Sequence, residues 1–241
     1  MIKLLAIYVM LIFPLYSAGS MNEKGRIVYH LKLGFIKGGQ ASIDISDTTY
    51  QGNKAIHYTL KARTTGLADL LYKVYDTYET TANAESLLPY VSIRNIREQN
   101  YRYYNEVTYH RDIDSIYSQR SGWKKAPDNL IDIITLFFYF TNKNYLEKID
   151  KGDSITLPIM HADEINNINI KFLGFEKIKT KLGELECYVL SPYVKKGKLL
   201  KRSDGVRFYI TKDTKIPVLL EFDLRVGSLK AVLADYDTDG P

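Results

Sequence analysis

Arg26-Ile27-Val28-Tyr29-His30-Leu31-Lys32-Leu33 decides the fold class. Ile27, Tyr29, Leu31 and Leu33 fall on one side of an extended chain, and Arg26, His30 and Lys32 on the other. That period of two belongs to a half-buried β-strand. The alternation resumes after Gly38-Gly39, with Ala41, Ile43 and Ile45 set against Gln40, Ser42 and Asp44. The two runs read as a hairpin turning at the paired glycines. Ile56, Tyr58 and Leu60 continue the pattern beyond the polar turn Gln51-Gly52-Asn53.

Further strands are expected over residues 90–97, 103–111, 113–119, 165–179, 185–191, 206–211, 216–225 and 229–236. Short polar loops separate them, among them Gln99-Asn100, Lys181-Leu182-Gly183-Glu184, Lys212-Asp213-Thr214-Lys215 and Val226-Gly227-Ser228. Two stretches break the period. Residues 66–72 suit one or two helical turns, and residues 128–140 a longer helix started by Asp128 after Pro127. Leu130, Ile131, Ile134, Phe137 and Phe138 share one broad apolar side of that helix, which predicts burial against a sheet. The expected fold is mainly β: one large, strongly curved antiparallel sheet of roughly a dozen strands, a barrel or half-barrel, with one long packed helix and a short helical turn. Lys148 to Gly152 forms a polar loop between sheet halves.

Met1-Ile2-Lys3, the apolar run Leu4 to Leu15 and the small-residue patch Ser17-Ala18-Gly19-Ser20 have the order of a secretory signal peptide. The apolar run is shorter than the roughly 20 residues a bilayer-spanning helix needs. No cysteine sits at the cleavage patch to carry a lipid. Residues 1–20 are therefore read as a cleaved leader and residues 21–241 as a single β-rich domain in the periplasm, without a transmembrane segment.

The composition narrows the function classes. Lys and Arg number 33 against 28 Asp and Glu, a formal charge of +5, one less without Lys3. The basic residues are spread along the chain rather than blocked, which argues against a nucleic-acid partner. Cys187 is the only cysteine and lies in an alternating apolar strand, so no intrachain disulfide forms and the thiol is read as buried and inert. Tyrosine is abundant, 20 of 241 residues. It suits both pleated sheets and ligand clefts.

Chemistry is thinly written. There is no Gly-x-Ser-x-Gly elbow, no phosphate-binding loop and no His-Glu-x-x-His pattern. Met160-His161-Ala162-Asp163-Glu164 is the densest ligand-like cluster, but it falls in a loop between strands, where polar residues gather anyway. No metal and no cofactor is assigned. Arg63, followed by Tyr72 and Tyr75, and then Arg94, Arg97 and Arg102, put guanidinium groups beside phenol rings. Such a group holds an anionic headgroup or a sugar, or serves as cross-strand pairing with Asp76, Glu79, Glu98 or Glu106.

Several stretches in order resemble the exported-protein family catalogued as domain of unknown function 3108. They include Leu33-Gly34-Phe35-Ile36-Lys37-Gly38-Gly39, Ala62-Arg63-Thr64-Thr65-Gly66-Leu67, Tyr72-Lys73-Val74-Tyr75-Asp76, Arg94-Asn95-Ile96-Arg97-Glu98 and Gly227-Ser228-Leu229-Lys230-Ala231. The resemblance implies a Gram-negative envelope protein with a mainly β fold, and carries over no activity or catalytic residue. A looser architectural analogy is to periplasmic lipoprotein carriers.

The leading expectation is a non-enzymatic periplasmic binding or carrier protein for a lipid or other apolar ligand. Phe137, Phe138, Phe172, Phe208, Leu220 and Phe222 are its candidate cavity wall. The alternative is a structural or interaction protein that meets an envelope partner through an Arg-Tyr surface patch. A glycan hydrolase would need paired carboxylates, for which Asp76 with Glu79, or Asp163 with Glu164, are the candidates.

Overall fold

The computed structural model of the protein describes residues 24–142, 146–180, 183–194, 200–225 and 227–237. The expected leader lies outside them. The elements run β1 (Gly25–Leu33), β2 (Ile36–Tyr50), β3 (Asn53–Thr64), α1 (Leu67–Leu71), β4 (Tyr75–Asn83), β5 (Pro89–Glu98), β6 (Tyr101–His110), β7 (Ser115–Ser118) and β8 (Gly122–Lys125). They continue with β9 (Ile131–Asp132), α2 (Ile133–Asn142), β10 (Ser154–His161), β11 (Glu164–Thr180), β12 (Gly183–Tyr193), β13 (Val206–Thr211), β14 (Pro217–Leu224) and β15 (Gly227–Asp237). All fifteen strands form one sheet, in the order β8-β7-β6-β5-β4-β3-β2-β1-β15-β14-β13-β12-β11-β10-β9.

The chain thus meanders outward from β1 to β8, crosses to the opposite edge at β9 and meanders back until β15 pairs with β1. Every pairing is antiparallel except β9 with β10. The backbone ladder leaves β8 and β9 as its two edges, so the sheet is barrel-like but open.

Helix α2 fills the inside of the curve. Its Ile134 and Phe138 pack with Ile27, Tyr29, Ile43 and Tyr58, while Leu136, Tyr139 and Phe140 pack with Leu157, Ile159, Phe172 and Leu190. A helix apolar on both sides is stable only when enclosed. Phe138 stacks on Tyr58 with ring centroids 4.5 Å apart.

Several expectations need correction. The helix is not long: it has ten residues and begins at Ile133. Residues 131–132 are strand instead, and the N-cap role falls to Asp132, whose carboxylate accepts the Thr135 N–H at 2.7 Å. Asp128 offers its backbone carbonyl to Arg111. The first hairpin turns at Gly34, which has φ +59°, and not at Gly38-Gly39. Gly39 lies within β2, where a Cβ would sit 2.5 Å from the Arg63 carbonyl oxygen. A glycine is needed there for close backbone approach, not for a turn. Strands β4, β8 and β10 are additional to those expected. By contrast, the polar turn anticipated at Gln51-Gly52-Asn53 is present, narrowed to Gln51 and Gly52 with φ of 49° and 82°, while Asn53 already pairs with Tyr50. Residues 181–182 and 226 of the expected loops lie outside the described residues.

Candidate functional site

The two edges of the sheet meet through side chains. Asp163 sits with Ala162 in the left-handed turn between β10 and β11. Its carboxylate accepts Ser118 Oγ at 2.6 Å, Ser121 Oγ at 2.9 Å and Asn105 Nδ2 at 3.3 Å, and Lys124 Nζ lies 3.4 Å away. Strands β6 and β8 are thereby fastened to the far side of the sheet. Burial works to raise the Asp163 pKa, but the Ser118 and Ser121 hydroxyls and the Lys124 charge outweigh it and hold the carboxyl below its ordinary value. A second tie runs from Arg111, whose guanidinium donates to the carbonyls of Pro89, Asp128 and Leu130. It clamps the segment that crosses from β8 to β9.

Between these ties lies a pocket of about 40 Å³, lined by β4, β5 and β6 on one side and by the β10–β11 turn and the start of α2 on the other. Alternation along β4 and β5 turns Tyr78, Thr80 and Arg94 inward together, with Tyr78 and Arg94 directly paired. Arg94 is half-buried. Its guanidinium carbon lies 4.8 Å from the Tyr103 ring centre and 5.7 Å from that of Tyr78. Its Nε–H donates to Tyr78 Oη at 3.4 Å, and it has no ion pair with a carboxylate among the described residues. Arg120 lies 4.7 Å from the same Tyr103 ring. The Tyr103 hydroxyl is buried without a hydrogen-bond partner among the described residues.

Asp132 closes the floor. It accepts Thr80 Oγ1 at 2.6 Å in addition to the Thr135 amide and hydroxyl. Complete burial pushes its pKa up, against the pull of the Thr135 and Thr80 hydrogen bonds. His161 lines the pocket at its edge. Desolvation of its ring, and then the Arg94 charge, lower its pKa.

The structure separates the residues singled out in the sequence. Arg63, Tyr72, Tyr75 and Arg97 gather outside the sheet near α1: Arg63 pairs with Tyr75 across β3 and β4, and the Tyr72 hydroxyl donates to Glu98. Arg94 alone of the group faces inward. Phe137 and Phe138 belong to one core and Phe172 to the other, with Leu220 and Phe208 against them respectively; Phe222 is half-buried on β14. Phe137, Phe138, Phe172, Phe208 and Leu220 are packing partners in these cores, and none of them lines the Arg94 pocket. Asp76 and Glu79 lie on opposite faces of β4, the first accepting the Arg97 N–H and the second 3.5 Å from His57. Asp163 is engaged in its tie, while Glu164 accepts from Asn166. Cys187 is buried, its thiol pushed up to about 11 by desolvation and Glu186.

Sequence reading missed Tyr103, Asn105, Ser118 and Asp132 as site residues. Asp132 left a signal, a lone acid inside the apolar run from Leu130 to Phe140. The others become visible only when the β10–β11 turn arrives beside them.

Among the described residues no helix is long and apolar enough to cross a membrane, and no group of three or more His, Cys, Asp or Glu side chains is arranged to hold a metal. A family model described as "Protein of unknown function (DUF3108)" matches residues 28–234. Among solved structures the chain is similar to a beta-barrel-like protein of domain of unknown function DUF1849 from Brucella abortus. That match has a TM-score of 0.56 at 9% identity and covers 90% of this chain and 98% of that one. A second is a DUF1089 family protein from Pseudomonas aeruginosa, with a TM-score of 0.34 at 7% identity, covering 80% of this chain and 88% of that one. No curated protein matches the chain.

Proposed function

The chain belongs to the DUF3108 family, and we propose that it is an exported, non-enzymatic binding protein of the periplasm that holds the anionic end of a small or lipid-like ligand at Arg94. The observation that carries this reading is the state of Arg94: a guanidinium half-withdrawn into a pocket and flanked by two phenol rings, which forms no ion pair among the described residues although Glu79, Asp132 and Asp163 line the same pocket. Removing a charge from water is costly unless a counter-charge meets it. A carboxylate or phosphate supplies one with fork geometry, and the unpartnered Tyr103 hydroxyl supplies a further donor. Ile133, Ile134 and Met160 line the same pocket, and at about 40 Å³ it takes only the anionic end of the ligand. Because α2 occupies the inside of the curve, the ligand is held at the seam where β4, β5 and β6 face the β10–β11 turn, rather than enclosed within the sheet.

The test is the side-chain Nε–H signal of Arg94 in heteronuclear NMR, assigned by its loss in Arg94→Lys. It should move when acetate or inorganic phosphate is added. A signal that stays fixed while surface arginines shift counts against the site.

A further inference from the structure

The opposite anomaly lies outside the sheet, around α1. This helix buries none of its residues. Leu67 is 78% exposed, and Leu70 and Leu71 are both 82% exposed. Phe35 and Ile36, in and beside the β1–β2 turn, are 103% and 72% exposed. The two apolar groups are neighbours: the Thr65 N–H donates to the Gly38 carbonyl at 3.0 Å, and a Cβ on Gly38 would lie 3.4 Å from Ala68 Cβ. Every strongly exposed leucine among the described residues lies in this tip or next to it, at Leu33. Exposed apolar side chains scattered singly need no explanation, but a contiguous group at the end of a fold marks an interaction site.

The charge around the tip is predominantly positive. Lys37 follows Ile36, Lys73 follows the helix, and Arg63, Arg97 and Arg102 stand beside it; all five are exposed, and none forms an ion pair among the described residues. Three acids lie nearby, and each accepts a hydrogen bond from a neutral donor. Asp69 accepts Thr64 Oγ1 at 2.8 Å, Glu98 accepts the Tyr72 hydroxyl, and Asp76 accepts the Arg97 N–H. Lys73, Tyr75, Arg97, Gln99 and Arg102 line a surface concavity of about 350 Å³. Gln99 ties it to the helix, its Nε2 donating to the Leu71 carbonyl at 3.1 Å and its backbone N–H to the Lys73 carbonyl at 2.8 Å.

We propose that the α1 end of the protein docks on the surface of an anionic phospholipid bilayer. Phe35, Ile36, Leu67, Leu70 and Leu71 enter the acyl boundary, and Lys73, Arg97 and Arg102 take lipid phosphate in the concavity. Apolar insertion combined with cations at headgroup depth is how peripheral proteins hold an interface. A second copy of the chain is a poor occupant, because face-to-face pairing would bring these cations against one another. The proposal uses none of the residues of the Arg94 pocket and stands or falls apart from it.

Sedimentation with vesicles tests it. The purified protein should pellet with vesicles of phosphatidylethanolamine and phosphatidylglycerol, and far less with phosphatidylcholine alone. The double variant Phe35→Ser, Leu70→Ser should lose about ten-fold or more in affinity at any salt, with an unchanged melting curve, since neither side chain is buried. Lys73→Ser with Arg102→Ser should lose affinity for anionic vesicles and much of its salt dependence. Failure to pellet with either vesicle, equal binding by the Phe35/Leu70 variant, or a concentration-dependent dimer that this variant abolishes would overturn the proposal.

Discussion

The sheet is joined to itself in two ways. Where β1 meets β15, the first and last strands share a ladder from Arg26 opposite Asp237 to Leu33 opposite Leu229, broken by one bulge. Where β8 and β9 come round toward one another, no ladder forms, and Asp163, Arg111 and their partners make the connection. A ladder uses groups every residue carries and so tolerates substitution. A side-chain tie concentrates the connection in a few atoms and leaves room between them. The Arg94 pocket occupies that room, which is why the seam and not the ladder carries the candidate site.

The largest expected break comes from Arg111→Ala. It strands the carbonyls of Pro89 and Leu130 and releases the crossing segment, at a cost of about 3 kcal/mol. An equivalent truncation beside the β1 ladder, Arg26→Ala, removes only an exposed ion pair with Asp44 and should change stability by about 0.5 kcal/mol or less. Urea denaturation of both variants checks the contrast; equal losses would erase the distinction between the two junctions.

Asp163→Asn keeps a residue that tolerates the left-handed turn but removes the charge, and should cost about 1–2 kcal/mol at neutral pH. Its pH dependence follows from the depressed pKa. A carboxyl held below its unfolded value stabilises the fold above that value and loses the effect as pH falls through the folded pKa. The gap between the wild-type and variant melting midpoints should therefore be full at pH 7 and close below about pH 4. A gap that persists in acid would show that geometry, not charge, holds the tie.

Tyr58→Phe tests the packed interior instead. The Tyr58 hydroxyl is buried without a hydrogen-bond partner among the described residues, so deleting it should leave stability unchanged or raise it by up to about 1 kcal/mol. A clear loss in calorimetry would reveal a partner for that oxygen. The smallest effect is electrostatic. Arg94→Met removes a cation beside His161 and should raise the imidazole pKa in an NMR titration. An unmoved His161 would leave desolvation as the sole cause of its shift.

Much of the sheet was legible because alternation is local: Ile27 to Leu33, Ile56 to Leu60 and Leu185 to Leu190 announce their faces within a few residues. The errors came where a residue type answers to a distant contact. Gly39 looked like a turn because the Arg63 carbonyl that requires it lies in another strand. Asp128 looked like a cap because it follows Pro127, whereas Asp132 takes that role with Thr80 from β4 in reach. The sequence did point to arginines beside tyrosines, but not to the division between Arg94 inside the sheet and Arg63 and Arg97 outside it. That division depends on strand register, which a single slip reverses.

The central claim is that the seam holds a ligand through Arg94. Native mass spectrometry of the protein isolated from its own cells, wild type beside Arg94→Met, tests it most directly. The account predicts an added mass on the wild type that organic extraction identifies as an anionic molecule, and its loss from a folded Arg94→Met. The same adduct on both proteins, or none on either, would contradict it.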